Sequence, residues 1–201
     1  MSLNLLTAIS PLDGRYRSKV EVLADYFSEL ALIKYRIKIE VLYLIELGEI
    51  RLVRKLTNKE EKFLNSIWQK FSLENAEHVK QIEKKINHDV KACEYFLKDK
   101  LEKKSLKDII NFIHFGLTSE DINNLAYGCL LSDFLDEIYW PKYQELISKL
   151  AALAEKYKNI AMMSRTHGQP ASPTTLGKEL AVFVYRLKKQ EGTFPKKLSG
   201  K

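Results

Sequence analysis

Residues 18–47 read SKVEVLADYFSELALIKYRIKIEVLYLIEL and carry the clearest structural signal in the chain. Apolar side chains recur in this stretch at steps of three and four residues, which places them on one face of an α-helix: Leu23, Phe27, Leu30, Ile33, Ile37, Val41, Leu44 and Ile45. Gly48 follows and is expected to end the helix. The stretch therefore predicts one long amphipathic helix from Ser18 to Leu47 that buries its apolar face against other helices.

The same periodicity continues outward from this helix. It predicts further helices over residues 58–71, 73–101, 106–115, 119–157 and 174–189. Pro141 lies inside the long run from 119, where it loses a backbone hydrogen bond and must kink or divide the helix. Residues 164–173, SRTHGQPASP, are rich in breakers and predict a loop. With only 8 glycines and 5 prolines and no β-alternating segment, the chain predicts an all-α fold built from an antiparallel array of long helices.

Composition and charge argue against several kinds of partner, site and cellular location. The net charge of +7 invites nucleic acid, but six Lys and Arg residues against one Glu lie beyond residue 185, which leaves the body nearly neutral. The sequence contains no run of about 18 apolar residues, so no membrane span is predicted. The first twenty residues lack the pattern of a secretory signal. Cys93 and Cys129 lie far apart without ligand spacing, so neither a zinc site nor a disulfide is expected, and the expected location is the cytoplasm.

Four polar segments interrupt the helical pattern. In the first, Asp13–Tyr16, the Arg15 fork and the Tyr16 hydroxyl suit a phosphate or carboxylate, although the same residues suit a simple turn. In the second, Asn87–Asp89, His88 lies off the apolar stripe of the predicted helix 73–101, on a face shared with Lys84, Lys91 and Tyr95. A histidine there is commonly only solvated, and its neighbours do not by themselves identify a site.

The other two segments suit a helix start and a reactive loop. Thr118 and Ser119, followed by two acids, are typical of a helix cap, and the same hydroxyl and amide groups can hold the anionic end of a ligand. His167 lies in the segment bounded by glycine and proline, where it has no core to fill. An imidazole can donate or accept a proton near neutral pH, so His167 is a candidate general acid or base.

In this order and at these separations, the four segments resemble the N-terminal part of the adenylosuccinate lyase family of the aspartase/fumarase superfamily. The matching stretches are SPLDGRY at 10–16, NHDVKA at 87–92, FGLTSEDINN at 115–124 and SRTHGQPASPTTLGKE at 164–179. The resemblance implies an N-terminal helical domain over residues 1–115, the start of a long-helix bundle domain over 116–190, and a divergent basic tail over 191–201.

The resemblance also implies a carbon–nitrogen lyase of purine biosynthesis that needs no cofactor and no metal. It would split adenylosuccinate into AMP and fumarate by β-elimination, and the related succinyl-carboxamide ribotide SAICAR into AICAR. His167 would be the catalytic general acid that protonates the leaving nitrogen. Substrate-binding roles would fall to Arg15 and Tyr16 for the nucleotide, to Asn87, His88 and Asp89 for the lining of the site, and to Thr118 and Ser119 for the succinyl carboxylate.

One part of the family pattern is absent from these 201 residues. In the family the general base is a serine on a mobile Ser-Ser-x-Met-Pro-x-Lys-x-Asn loop, and no such segment occurs in this sequence. Family members are also longer and form homotetramers whose sites combine three subunits. Two hypotheses stay open: a lyase with weak or absent turnover as this chain alone, or a non-catalytic helical module that binds nucleotide or co-assembles with a full-length lyase.

Overall fold

The computed structural model describes residues 10–102 and 104–193. They form two compact units that divide between Leu131 and Ser132. The domain boundary expected between residues 115 and 116 comes from the family resemblance and stays a prediction. Most of the predicted basic tail, residues 194–201, lies outside the described residues.

The first unit is helical, and its elements follow one another with short connections. They are α1 (Arg17–Val20), a 3-10 turn (Glu21–Leu23), α2 (Ala24–Phe27), α3 (Glu29–Glu49), α4 (Asn58–Gln69), α5 (Leu73–Ile86), α6 (Asp89–Leu101), a 3-10 helix (Lys107–Phe112) and α7 (Ser119–Phe134), which begins in this unit. Helix α3 packs against α4, α5 and α6. The core between these four helices contains the almost fully buried side chains Ile37, Leu44, Leu64, Val79, Phe96, Leu97 and Leu101.

The single helix predicted over residues 18–47 is wrong because Ser28 divides it. The backbone of Ser28 is extended, with φ −86° and ψ 164°, and its hydroxyl accepts a hydrogen bond from the Ala31 amide at 3.2 Å. This is the geometry of a helix N-cap, which satisfies an amide that the first turn leaves unpaired. Gly48 does not end α3: it is buried one residue before the end, where a Cβ would lie 3.3 Å from Leu56 Cγ.

The helix predicted over residues 106–115 is also wrong, since only a 3-10 helix forms there. Its path ends at Ile113, whose backbone is extended. His114 and Gly116 follow with φ of 63° and 71°, in the left-handed region that a right-handed helix does not contain. The chain therefore leaves the helical path before it reaches Thr118.

A network of charges joins the start of α4 to the 3-10 helix. Thr57 and Glu60 form a reciprocal capping box, in which Glu60 Oε2 accepts the Thr57 amide at 2.9 Å. The Arg54 guanidinium donates to both Glu60 oxygens, at 2.8 and 3.1 Å, and to Asp108 Oδ2 at 2.6 Å. The hydrogen bonds from Arg54 hold the pKa of Glu60 far below its usual range.

The second unit begins with the remainder of the long run predicted from residue 119. Its elements are a single π-helical turn (Leu135–Tyr139), α8 (Trp140–Lys156), strands β1 (Ala161–Thr166) and β2 (Gln169–Thr175), and α9 (Leu176–Glu191). Pro141 lies in the first turn of α8. Because it has no N–H to donate, the regular ladder cannot run through it, and the π turn precedes it directly. Pro141 is expected to kink or divide the run; the structure interrupts the α-helical ladder with the π turn between α7 and α8, while Phe134, Tyr139 and Trp140 keep right-handed helical backbone.

The all-α fold class is confirmed, with one local exception. Strands β1 and β2 pair antiparallel, and they form the single sheet among residues 10–102 and 104–193. The breaker-rich segment 164–173, predicted to be a loop, is therefore a β-hairpin. Its prolines are accommodated because the sheet has only two strands, so a residue without an N–H can face away from the partner strand.

The start of α9 is held closely against the end of α8. The amides of Leu176 and Gly177 donate to the carbonyls of Ile160 and Tyr157 at 2.9 and 3.0 Å. A Cβ at Gly177 would overlap the backbone at Ala154 and at Lys158. Glycine is thus required at position 177 for the close approach of backbone to backbone.

We predict opposite effects of alanine at two helical glycines. Gly177→Ala should lower the free energy of unfolding of the second unit by about 2 kcal/mol, because the backbone must shift to admit a methyl group. Gly128→Ala, in α7, is the matched control: among the described residues beyond its own helical turn, no atom lies within 4 Å of where the added methyl group would stand. Better helix propensity should leave stability equal or raise it by up to about 1 kcal/mol. Urea denaturation followed by circular dichroism measures both, and equal effects would contradict the packing argument.

We also predict a pH-dependent contribution from Glu60. A carboxyl whose pKa is lowered on folding adds stability above its ordinary pKa and loses that contribution as the pH falls. Glu60→Gln should therefore cost about 2 kcal/mol at pH 7, and the difference from the unsubstituted chain should shrink toward pH 3. Glu61→Gln, one residue along, is the control. A cost that is independent of pH would show that the Arg54 contact does not stabilise the ionised form.

Candidate functional site

Asn87, His88 and Asp89 form the junction between α5 and α6, so the single helix predicted over residues 73–101 is wrong. Asn87 ends α5 in the left-handed conformation, with φ 54° and ψ 38°, which asparagine tolerates better than most residues. His88 then turns extended, and its Nδ1 accepts a hydrogen bond from the Lys91 amide at 3.2 Å. The predicted helix face shared with His88 does not exist, and the His88 side chain is half exposed at the turn.

Asp89 is held by a buried arginine of α3. Its Oδ2 lies 2.7 Å from Arg36 Nη2, and its Oδ1 accepts the Val90 amide at 2.9 Å. Partial burial by itself raises the pKa of Asp89, but the Val90 amide and the Arg36 charge together outweigh it, and the net shift is downward. Asp89 is therefore a carboxylate fixed in place at the start of α6.

Arg36 also reaches the start of α7. Its Nε donates to Asn123 Oδ1 at 2.9 Å, and only 8% of its side chain is exposed. Two of the four predicted segments, 87–89 and 118–124, are thus brought to one place in the first unit. Sequence analysis missed Arg36.

Thr118 and Ser119 stand at the start of α7, as the helix-cap interpretation predicts. The Thr118 amide and hydroxyl both donate to Asp121 Oδ2, at 2.7 and 2.8 Å, and the Asp121 amide returns a weaker contact to Thr118 Oγ1 at 3.4 Å. These hydrogen bonds lower the pKa of Asp121. The cap is observed, and a role for the same groups in ligand binding stays a prediction.

A buried histidine–glutamate pair lies just before this helix start, and sequence analysis missed it. His114 Nδ1 lies 2.6 Å from Glu40 Oε1, and His114 Nε2 lies 3.9 Å from Glu94 Oε1. Burial raises the pKa of Glu40, although the hydrogen bond with His114 opposes the rise. Glu40 Oε2 is buried and has no hydrogen-bond partner within the part of the chain that the structure describes. Lys91 Nζ donates a hydrogen bond to Glu94 Oε2 at 2.8 Å.

The sequence did carry one signal for these residues. Arg36 and Glu40 are charged residues four apart within the apolar stretch of α3, so they share a helix face next to the buried stripe. Charged side chains at such positions are rarely buried unless they are paired. The pattern indicates buried partners, but it does not say which residues those partners are.

Arg15 and Tyr16 form an exposed pair in the first unit. Arg15 Nη2 donates to Tyr16 Oη at 2.8 Å, and the guanidinium carbon lies 4.6 Å from the centre of the Tyr16 ring. Both side chains are exposed to solvent. The pair presents the combination of a guanidinium fork and a phenol hydroxyl that sequence analysis singled out, and its ligand stays a prediction.

His167 belongs to the second unit and occupies the turn of the β-hairpin. Thr166 pairs with Gln169 across the turn, so His167 and Gly168 are the two loop residues, with φ of 49° and 77°. Positive φ at both positions is what a type I′ hairpin turn requires. His167 is exposed at this tip, which leaves its imidazole accessible to a ligand.

The described residues contain neither a cluster suited to a metal ion nor a helix suited to span a membrane. Within residues 10–102 and 104–193, no three or more His, Cys, Asp or Glu side chains are grouped so that they could hold a metal ion. No helix in the same ranges has the length and apolar character needed to cross a membrane.

Comparison with known proteins gives consistent matches. A family model described as lyase matches residues 14–198. The chain is 49% identical to the adenylosuccinate lyase of Haemophilus influenzae over 194 residues, 48% identical to that of Dictyostelium discoideum over 197 residues, and 45% identical to that of Escherichia coli K12 over 194 residues. Each match covers 94% of this chain and 42% of the relative, so the chain spans less than half the length of these relatives.

Solved structures share the fold at low sequence identity. The fumarate lyase of Mesorhizobium sp. BNC1 matches with a TM-score of 0.70 at 19% identity. The 3-carboxy-cis,cis-muconate lactonizing enzyme of Pseudomonas putida matches with a TM-score of 0.67 at 16% identity. Each covers 86% of this chain and 38% of the solved chain. These matches place the described helices in a known fold.

We predict that Glu40 stabilises the segment before α7. Glu40→Ala should cost about 3 kcal/mol, because it removes the partner of His114 and leaves a buried polar group unpaired. Glu40→Gln should cost less, since an amide can still bond the imidazole. Glu46→Ala, an exposed position of the same helix, is the control and should change stability by no more than about 0.5 kcal/mol. Equal losses at positions 40 and 46 in urea denaturation would contradict the assignment.

Proposed function

Because the chain belongs to the lyase family, we propose that it acts in the β-elimination that splits adenylosuccinate into AMP and fumarate. The observation that carries the proposal is the 45–49% identity to adenylosuccinate lyases over 94% of the chain. The four segments that resemble that family support it further. We extend the proposal to SAICAR as a second substrate, to a homotetramer, to a cytoplasmic location and to the domain boundary near residue 116.

The reaction sets chemical requirements that the candidate residues suit. A proton leaves the carbon next to a succinyl carboxylate, negative charge develops on that carboxylate, and the departing nitrogen gains a proton. His167 is proposed as the general acid that supplies this last proton. Its support is an imidazole at an exposed hairpin tip with a defined backbone, which can carry a proton near neutral pH.

The start of α7 is proposed to hold the succinyl carboxylate. Thr118 and Ser119 stand at the N-terminus of a 16-residue helix, where unpaired amides and the helix dipole favour an anion. The Thr118 hydroxyl and amide already donate to Asp121. A substrate carboxylate at Thr118 would have to replace this internal carboxylate, so binding there is an exchange of one anion for another.

The remaining roles follow from exposure and chemistry. The half-exposed His88, between Asn87 and Asp89, is proposed to line the substrate site at the α5–α6 turn. Arg15 and Tyr16 are proposed to bind the nucleotide, because a guanidinium fork and a phenol hydroxyl suit a phosphate. The proposal assigns the general base to none of the 201 residues, since no Ser-Ser-x-Met-Pro-x-Lys-x-Asn segment occurs among them.

The lack of an assigned general base among these residues favours a second candidate function. These 201 residues contain the segments proposed to bind anions but no serine-loop segment, and we propose as the second candidate that they bind nucleotide without turnover, or join a full-length lyase in one assembly. The two candidates differ in turnover and agree in ligand binding.

The test combines a binding measurement with a product measurement on the 201-residue chain. Adenylosuccinate and AMP should each raise the melting temperature, by mass action equivalent to about 2.7 kcal/mol at a hundredfold excess over Kd. Chromatography then measures release of AMP and fumarate from adenylosuccinate. Any turnover should fall by about 10²-fold or more in His167→Gln, because the leaving nitrogen loses its proton donor.

The control is His78→Gln, a half-exposed histidine outside all four segments, which should leave turnover unchanged. Stabilisation by ligand without release of product would select the non-catalytic module. If neither ligand raises the melting temperature and no product forms, the proposed function is wrong for this chain.

A further inference from the structure

We propose that Arg36 is a positioning residue for the substrate site: it sets the distance and angle between the Asn87–Asp89 turn and the start of α7. The proposal rests on the proposed function, because it assumes that these two segments bind substrate. Arg36 lies on α3, outside all four segments that the sequence singles out, and its role comes from where its guanidinium reaches.

The Arg36 guanidinium bonds two side chains through different nitrogens. Its Nη2 lies 2.7 Å from Asp89 Oδ2, and its Nε donates to Asn123 Oδ1 at 2.9 Å. A guanidinium is planar, and its donors point in fixed directions. Two acceptors that bind different nitrogens of one guanidinium are therefore fixed relative to each other, in both distance and angle.

The two acceptors lie next to the groups proposed to bind substrate. Asp89 is the residue after His88, and it opens α6. Asn123 lies four residues after Ser119, which places both on the same face of α7 one turn apart. Fixing Asp89 and Asn123 thus fixes the groups proposed to line the site and to hold the carboxylate.

Burial makes the Arg36 bridge costly to break. The Arg36 side chain is 8% exposed, and a buried charge is expensive unless it is paired and hydrogen-bonded. Further along α3, Glu40 and Tyr43 hold the approach to α7, through His114 at 2.6 Å and the Phe115 carbonyl at 2.9 Å. Helix α3 therefore fixes both the segment before Thr118 and the first turns after it.

A second arginine provides a matched control. Arg54 also binds two side chains at once, here the carboxylates of Glu60 and Asp108, at 2.6–3.1 Å. None of these three residues belongs to the four segments. Removal of Arg54 should cost stability without changing the geometry of the site, whereas removal of Arg36 should change both.

The experiment compares ligand affinities of Arg36→Met, Arg36→Lys and Arg54→Met by calorimetry. Arg36→Met should weaken adenylosuccinate by about tenfold or more, because small displacements of binding groups are costly. It should weaken AMP less, since AMP lacks the succinyl group. Arg36→Lys keeps the charge but not the two-sided geometry and should give an intermediate loss. Arg54→Met should lower the melting temperature and leave both affinities unchanged.

Two results would overturn the proposal: unchanged adenylosuccinate affinity in folded Arg36→Met, or an equal loss in Arg54→Met. If Arg36→Met does not fold, Asn123→Ala removes one end of the bridge instead and must weaken the binding of adenylosuccinate more than that of AMP.

If the unsubstituted chain binds neither ligand, the proposed function fails, and hydrogen exchange then tests whether Arg36 positions the two segments. Exchange at residues 90–91 and 119–122 should then accelerate in Arg36→Met but not in Arg54→Met, and protection that persists in either segment would refute it.

Discussion

The buried charges of α3 constrain where two polar segments of the first unit can lie. Arg36 and Glu40 sit beside the apolar face that packs against the other helices, so each must find a partner inside the protein or incur a large desolvation cost. Arg36 pairs with Asp89 and donates a hydrogen bond to Asn123, and Glu40 pairs with His114. The helix that builds the core therefore also fixes two of the four polar segments, 87–89 and 118–124, so the same element sets the packing and the geometry of these two segments.

Three of the four polar segments lie where regular backbone is interrupted. Asn87, His114 and His167 all have positive φ, and Thr118 caps a helix. A residue in this region is uncommon unless it is glycine, and its conformation persists only where the surroundings hold it. Three of the segments that resemble a lyase thus lie at places where the chain leaves its helices under a specific local constraint.

Apolar periodicity predicts the helices well where burial decides, but by itself it does not show where one helix ends and the next begins. The capping of α4 by Thr57 and the interruption before Pro141 follow from local chemistry that can be read directly. The breaks at Ser28 and at Asn87 cannot be recovered from periodicity, because the apolar spacing continues across both. His167 stands out in the sequence as a residue without a core to fill, but its hairpin depends on pairing between two strands. The partners of Arg36 and Glu40 are 53 to 87 positions away in sequence, and no local pattern specifies them.

The central claim is that the turn before α6 and the start of α7 form one ligand site organised by α3. Titration of the 15N-labelled chain with adenylosuccinate, followed by amide NMR, tests it most directly. The claim predicts that the amides of residues 88–90 and 119–121 shift together, with a single common Kd. Shifts confined to one of the two segments, or two different Kd values, would contradict it.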